Sequence, residues 1–219
     1  MNIGRAFTFF LDDPEWIKKV LLGALISLIP LVGGFILLGW GLAVTRNVYQ
    51  GIDNPLPEWD DLGGYLVRGL IAWVGAFLWA LPVVVVFICF GVSLAIASGS
   101  DAATTLLAIS SICLGFLALA YLAFFLPVPI ARYAIKNDFG AMFEFGDIFD
   151  EVRRGLRPLL IALVIWFTAA VIVVPIGMLA CFIGIYVTST LSYLMIGHAL
   201  GQAYREIDRP GASQPTPAF

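Results

Sequence analysis

Four uncharged apolar runs dominate the chain: Val20 to Val44, Gly69 to Ala97, Leu106 to Ala131 and Leu159 to Gly197. Each exceeds the roughly 20 residues that a helix needs to cross a hydrocarbon core of about 30 Å. They are continuous and rich in Leu, Ala, Val and Gly, whereas a membrane barrel shows short alternating segments of about 10 residues. Because lipid offers no partner to backbone N–H and C=O groups, the runs predict spanning helices. The second and third runs are separated by Ser98 to Thr105, which carries Asp101 and no base, and this gap reads as an external turn. The last run is long enough for two segments, with a break expected over Pro175 to Gly184.

The first run admits two readings. As one helix, Val20 to Val44 would reach about 37 Å. As a hairpin it would turn at Pro30-Leu31-Val32-Gly33-Gly34, where a missing donor and two glycines loosen the backbone. The hairpin reading places every Lys and Arg on one face, the side to which basic residues are retained. It gives an all-α fold: a polytopic transmembrane bundle of three helical hairpins, six segments in all, with the first pair short or re-entrant.

An internal repeat accompanies these hairpins. Glu58-Trp59-Asp60-Asp61-Leu62 leads to Arg68-Gly69-Leu70, and Glu144-Phe145-Gly146-Asp147-Ile148 leads to Arg154-Gly155-Leu156 at the same spacing. Phe10, Asp12, Lys19 and Leu21 fit the same frame more loosely. Three units follow, 7–51, 56–138 and 142–207, each an amphipathic interfacial lead-in and two membrane segments. Together they make a membrane domain over 1–207, with a Pro-, Gly- and Ser-rich flexible tail over 208–219. The exits from the units rhyme as well, at Arg46, Arg132 and Arg205.

The bland account of the lead-in is an interfacial anchor, with aromatic residues at headgroup level, Asp at a helix N-terminus and Arg snorkelling. A functional account starts from the separation of Asp61 and Arg68. Two turns place them about 10 Å apart along one face, which argues against a direct pair. Pairing between units would give a charge belt of Asp12, Asp61 and Asp147 against Lys19, Arg68 and Arg154. Such a belt would receive a cytoplasmic partner or gate a passage. Gly197 and Gly201, four residues apart, mark a close helix–helix contact, as do the stripes Ala72, Ala76, Ala80 and Gly91, Ala95, Gly99. Pro82, Pro127, Pro129 and Pro175 are expected to kink or end helices.

Composition agrees with the run pattern and narrows the chemistry. The 219 residues are 61% hydrophobic and 12% charged, against about 25% charged in soluble domains. The net charge of −3 and the dispersed bases argue against a nucleic-acid partner. Asp12, Asp13, Pro14 and Glu15 occupy the place of a secretory signal. No Asp, Glu, Lys or Arg stands at mid-membrane depth, which disfavours proton pumps, voltage sensors and intramembrane aspartyl proteolysis. A single histidine, His198, cannot build a His-rich metal centre and reads as an interfacial hydrogen-bonding group. Cys89, Cys113 and Cys181 read as packing residues. Thr188, Ser189, Thr190, Ser192 and Tyr193 form the nearest polar cluster, and hydroxyls there ordinarily bond their own helix. Phosphate-loop, zinc-pair and nucleophile-elbow motifs are missing, so neither a catalytic residue nor a cofactor is expected.

The stretches Phe7 to Lys19, Leu28 to Gly33, Gly39 to Arg46 with Gly51, and above all Leu56-Pro57-Glu58-Trp59-Asp60-Asp61 carry a family resemblance. Through them the chain resembles the uncharacterised prokaryotic membrane proteins catalogued as domain of unknown function 4013. The resemblance covers most of the chain and implies a multi-span protein of a prokaryotic plasma membrane. It implies no activity. The expected role is a non-enzymatic membrane module with both termini cytoplasmic, organising membrane lipids, further copies of itself or another membrane protein. The rival is a transporter or channel for a small neutral or amphipathic solute. An intramembrane enzyme is the third class.

Overall fold

A computed structural model describes residues 2–96, 101–179 and 183–208 of the chain. Every regular element in them is helical. The N-terminal helix α1 (Ile3–Thr8) leads through a 3-10 turn, Phe9–Asp12, into α2 (Trp16–Ser27) and α3 (Val32–Gln50). A long α4 (Leu62–Ile96) is followed by α5 (Asp101–Phe125) and α6 (Pro127–Lys136). Another 3-10 turn, Gly140–Phe143, precedes α7 (Phe145–Arg154) and α8 (Leu156–Thr168). A π-helical turn, Ala169–Val173, joins α8 to α9 (Val174–Leu179), and α10 (Ile183–Asp208) completes the chain.

Three helical stretches are long and apolar enough to cross a membrane: Leu62–Ser93, Thr104–Lys136 and Leu156–Gly177. They lie on the second, third and fourth of the apolar runs. The first run divides at Pro30, where Leu31 takes a positive φ of 63° between α2 and α3. With 12 residues, α2 reaches only about 18 Å and does not span. Its partner α3 and the last helix α10 carry polar residues along their length and pack against several other helices of the bundle. The turn expected over Ser98 to Thr105 lies partly outside the described residues, but α5 is already helical from Asp101. Pro175 does not end its helix. The π-helical turn just before it widens the backbone, the usual way a helix accommodates a local disruption of its ladder. Pro82 sits within α4, whereas Pro127 opens α6 after a break at Leu126. Asp208, expected in the flexible tail, is the last residue of α10 and accepts a hydrogen bond from Tyr49 Oη at 2.8 Å. Residues 209–219 and Cys181 lie outside the described residues.

The packing centres on α3, which touches α2, α4, α6 and α10. Glycine makes both main crossings possible. Gly39 of α3 lies against the backbone of Tyr65, and Gly69 of α4 lies against the carbonyl of Phe35. On the opposite side, Gly197 and Gly201 of α10 abut the carbonyls of Gly41 and Thr45. The GxxxG pair therefore packs within the bundle. Ala72 is fully buried, while Gly91 faces open space. Trp40, Leu37, Val44, Ile165 and Leu194 fill the main core. The outer halves of α4 and α5 leave Val85, Ile88, Val92, Ile109, Ile112, Phe116 and Leu117 exposed, a surface that lipid rather than water suits.

Candidate functional site

At one end of the bundle the charged side chains of the lead-ins turn inward and form two ion clusters. The first is built on Lys19, which is 3% exposed. Its Nζ lies 2.7 Å from Asp13 Oδ2 and 2.5 Å from Glu58 Oε1. Asp13, also buried, accepts further hydrogen bonds from Asn54 Nδ2 at 3.1 Å and from the Glu15 N–H at 2.7 Å. Two tryptophans complete the clamp. Trp59 Nε1 donates to the Lys19 carbonyl at 3.0 Å, Trp40 Nε1 donates to the Pro57 carbonyl at 3.2 Å, and the two rings stack at 4.3 Å. The loop between α3 and α4 is thereby pinned across α2.

The second cluster surrounds Arg132, 2% exposed near the end of α6. Its Nε donates to the Ala141 carbonyl at 2.9 Å, one terminal nitrogen pairs with Glu151, and the other with Glu144 and, at 3.2 Å, with Asp147. Tyr204 of α10 donates to Glu151 Oε2 at 2.8 Å, and Lys136 adds a bond to Glu144 at 3.0 Å. A planar five-donor guanidinium can serve four acceptors in this way; an ammonium cannot.

Not all the expected belt residues pair as anticipated. Asp61 and Arg68 form a direct ion pair of 2.5 Å. Asp61 stands just before α4 and caps it, accepting from the Gly64 N–H at 2.9 Å, as a helix N-cap does. Arg68 reaches back, because side chains tilt toward a helix N-terminus, and its Nε also bonds the Gly64 carbonyl. The reach of the Arg68 side chain thus bridges the axial separation of the two backbones. Lys19 takes Asp13 rather than Asp12, since the 3-10 turn at Phe9–Asp12 carries Asp13 inward. Asp12 instead meets Arg5 at 3.6 Å on the surface, a pair worth at most about 1 kcal/mol. Asp147 faces Arg132, and Arg154 bonds the Asp150 carbonyl at 3.3 Å. Asp13, Asn54, Glu58, Arg132, Glu151 and Tyr204 were not anticipated as a site. One signal for the second cluster is present in the sequence: Glu144, just before α7, and Asp147 and Glu151 within it recur at helical spacing, a pattern that calls for a cation.

Several hydroxyls of the last segment are satisfied within their own helix. Thr188 Oγ1, Thr190 Oγ1 and Ser192 Oγ donate to the carbonyls of Gly184, Tyr186 and Thr188. His198 stacks on Phe9 at 4.3 Å, with its Nδ1 3.2 Å from Gln202 Nε2. The Asn2 N–H donates to Gln202 Oε1 at 2.9 Å, so the start of the chain and the end of α10 share one end of the bundle.

The Asp13–Lys19 pair fixes a pH range. Burial pushes the Asp13 carboxyl up, but Lys19, the Glu15 N–H and Asn54 together hold it below its usual 3.8. Burial pulls Lys19 down, but Asp13 and Glu58 hold it above its usual 10.5. A lowered acid contributes stability above its unfolded value and loses it as pH falls through the folded value; a raised base contributes below its unfolded value and loses it on the alkaline side. The pair therefore stabilises the fold fully between 3.8 and 10.5. Melting of the detergent-solubilised chain should fall as pH drops below 3.8, and Asp13→Asn should flatten that acid limb. An acid limb of unchanged slope in the variant would contradict the pairing.

The family model described as protein of unknown function (DUF4013) matches residues 22–184. The chain belongs to this family. Uncharacterized protein MJ1189 of Methanocaldococcus jannaschii is 30% identical over 167 residues, covering 73% of this chain and 56% of the relative. The chain thus spans little more than half the length of that curated relative. No solved structure matches.

Proposed function

We propose that this DUF4013 protein is a non-enzymatic module of a prokaryotic plasma membrane, with both ends of its helical domain cytoplasmic, whose charged end organises lipid or protein partners. One observation carries the reading: the ionic side chains gather at one end of the apolar helices, and the two buried clusters brace the lead-ins there into a fixed surface. The charges serve posture rather than chemistry, because Lys19 and Arg132 are already bonded to carboxylates and main-chain oxygens. The lead-in residues Asp61, Asp147 and Arg154 stay on the outer surface of that platform, where a partner reaches them.

The π-helical turn at Ala169–Val173 favours the second reading, passage of a small neutral solute, since such turns often mark functional sites. Two measurements separate the readings. In proteoliposomes, release of a panel of neutral solutes should match that of protein-free vesicles. In cells, Ala at Asp61, Arg68, Asp147 and Arg154 should leave the helical circular dichroism of the extracted protein unchanged while abolishing the cross-links it forms to neighbours. Solute release well above that of empty vesicles would overturn the module in favour of a channel.

A further inference from the structure

An open cleft lies between α3, α4 and α6, lined by Leu42, Ala43, Arg46, Arg68, Tyr133, Ala134 and Asn137. Its polar lining is made almost entirely of donors. Arg68 uses Nε on Gly64 and one terminal nitrogen on Asp61, which leaves its other terminal nitrogen unspent. Among the described residues, the Arg46 guanidinium and the Tyr133 hydroxyl have neither a hydrogen-bond nor an ionic partner. Asn137 holds the left-handed position that ends α6, with φ of 53°, at the same rim. Two guanidinium groups against the single Asp61 carboxylate leave one net positive charge at the mouth. Beneath it lies the smaller apolar cluster of Leu42, Ala72, Tyr133, Ala134 and Met142, flanked by half-buried Leu38, Ile71 and Ile130. Donors and cations above, with aliphatic side chains below, at the level where the apolar helices begin, match one chemistry: a phosphate oxyanion at the membrane boundary.

We propose that this cleft binds a singly charged phosphate, held between Arg46 and Arg68 with the Tyr133 hydroxyl donating. The inference deepens the module reading by naming the class of lipid or phosphate that it takes. Guanidinium groups recognise phosphate oxygens through paired N–H donors. A phosphodiester monoanion also matches the net charge, whereas a zwitterionic headgroup adds an unmatched ammonium.

The test uses the purified full chain in neutral detergent, with ligand counted by native mass spectrometry during titration with phosphatidylglycerol, phosphatidylcholine or inorganic phosphate. Phosphatidylglycerol should bind in preference to phosphatidylcholine. Arg46→Gln should weaken that binding about tenfold and Tyr133→Phe about fivefold. Arg157→Gln, which removes an exposed charge at the start of α8, should leave it unchanged. Inorganic phosphate binding with the same dependence on Arg46, and without phosphatidylglycerol binding, would support the site with a soluble phosphate as its source. Binding of neither probe, or equal losses in Arg46→Gln and Arg157→Gln, would overturn it. The readout is binding to the purified chain, so it stands or fails independently of solute release and cross-linking.

Discussion

Arg132→Met is expected to destabilise the protein by about 3–5 kcal/mol, the range measured when one member of a buried ion pair is removed. The cost comes from what remains. Glu151, 9% exposed, would keep its charge with only the Tyr204 hydroxyl to face it, and the Ala141 carbonyl would lose its donor. Glu144 and Asp147 are about half exposed and would hydrate, so they add little. The origin of the loss is separable by a double-mutant cycle. In the Arg132→Met background, Glu151→Gln removes the stranded charge and should restore part of the stability, whereas in the wild type the same change should destabilise. Arg132→Lys should fall between the two, because one ammonium cannot reach acceptors on opposite sides of a planar fork. Denaturant unfolding in detergent measures all of these. A loss below about 1 kcal/mol for Arg132→Met, the size of an exposed pair, would show that the cluster is solvated rather than sealed.

Much of the fold is legible in the sequence because lipid imposes a coarse rule, and charge-free runs report it directly. Helicity, the break at Pro30 and the packing role of Gly197 and Gly201 follow from that rule and from glycine. The pairing of the helices does not. Polarity averaged along α3 and α10 names no neighbour, and only tertiary contacts show which helices enclose them. The charged rim is legible in kind but not in pairing. Counting along the chain singled out Asp12 and Asp61, yet a single 3-10 turn moves the buried role to Asp13, and a capping carboxylate comes within reach of Arg68. Arg132 was visible only as part of a rhyme with Arg46 and Arg205. Its acceptors come from α7 and the residues just before it, and Tyr204 of α10 bonds one of them, Glu151; no spacing rule joins all these segments. Local chemistry is read from neighbours in sequence; a buried ion cluster is a property of the assembled bundle.

Gly39→Ala and Gly69→Ala are expected to be among the most damaging single-methyl changes in the protein. A Cβ on Gly39 would meet the Tyr65 backbone, and one on Gly69 would meet the Phe35 carbonyl. Neither obstacle is a side chain that can rotate away, so α3 and α4 must separate along their whole contact. Overpacking of a fitted interior costs about 1–3 kcal/mol, occasionally more, and backbone-on-backbone contact belongs at the upper end. The pinned loop between these helices amplifies the effect, since moving α4 also disturbs Trp59 against Trp40 and Glu58 against Lys19. Gly91→Ala supplies the opposite sign. That glycine lies in α4 with open space about it, and Ala there should be neutral or stabilising by up to about 1 kcal/mol through reduced backbone freedom in the unfolded chain. Thermal melting of the three variants in one detergent reads the contrast. If Gly39→Ala and Gly69→Ala melt with Gly91→Ala, then α3 and α4 do not cross at these glycines, and the close approach that positions both the pinned loop and the cleft of Arg46 and Arg68 is lost with them.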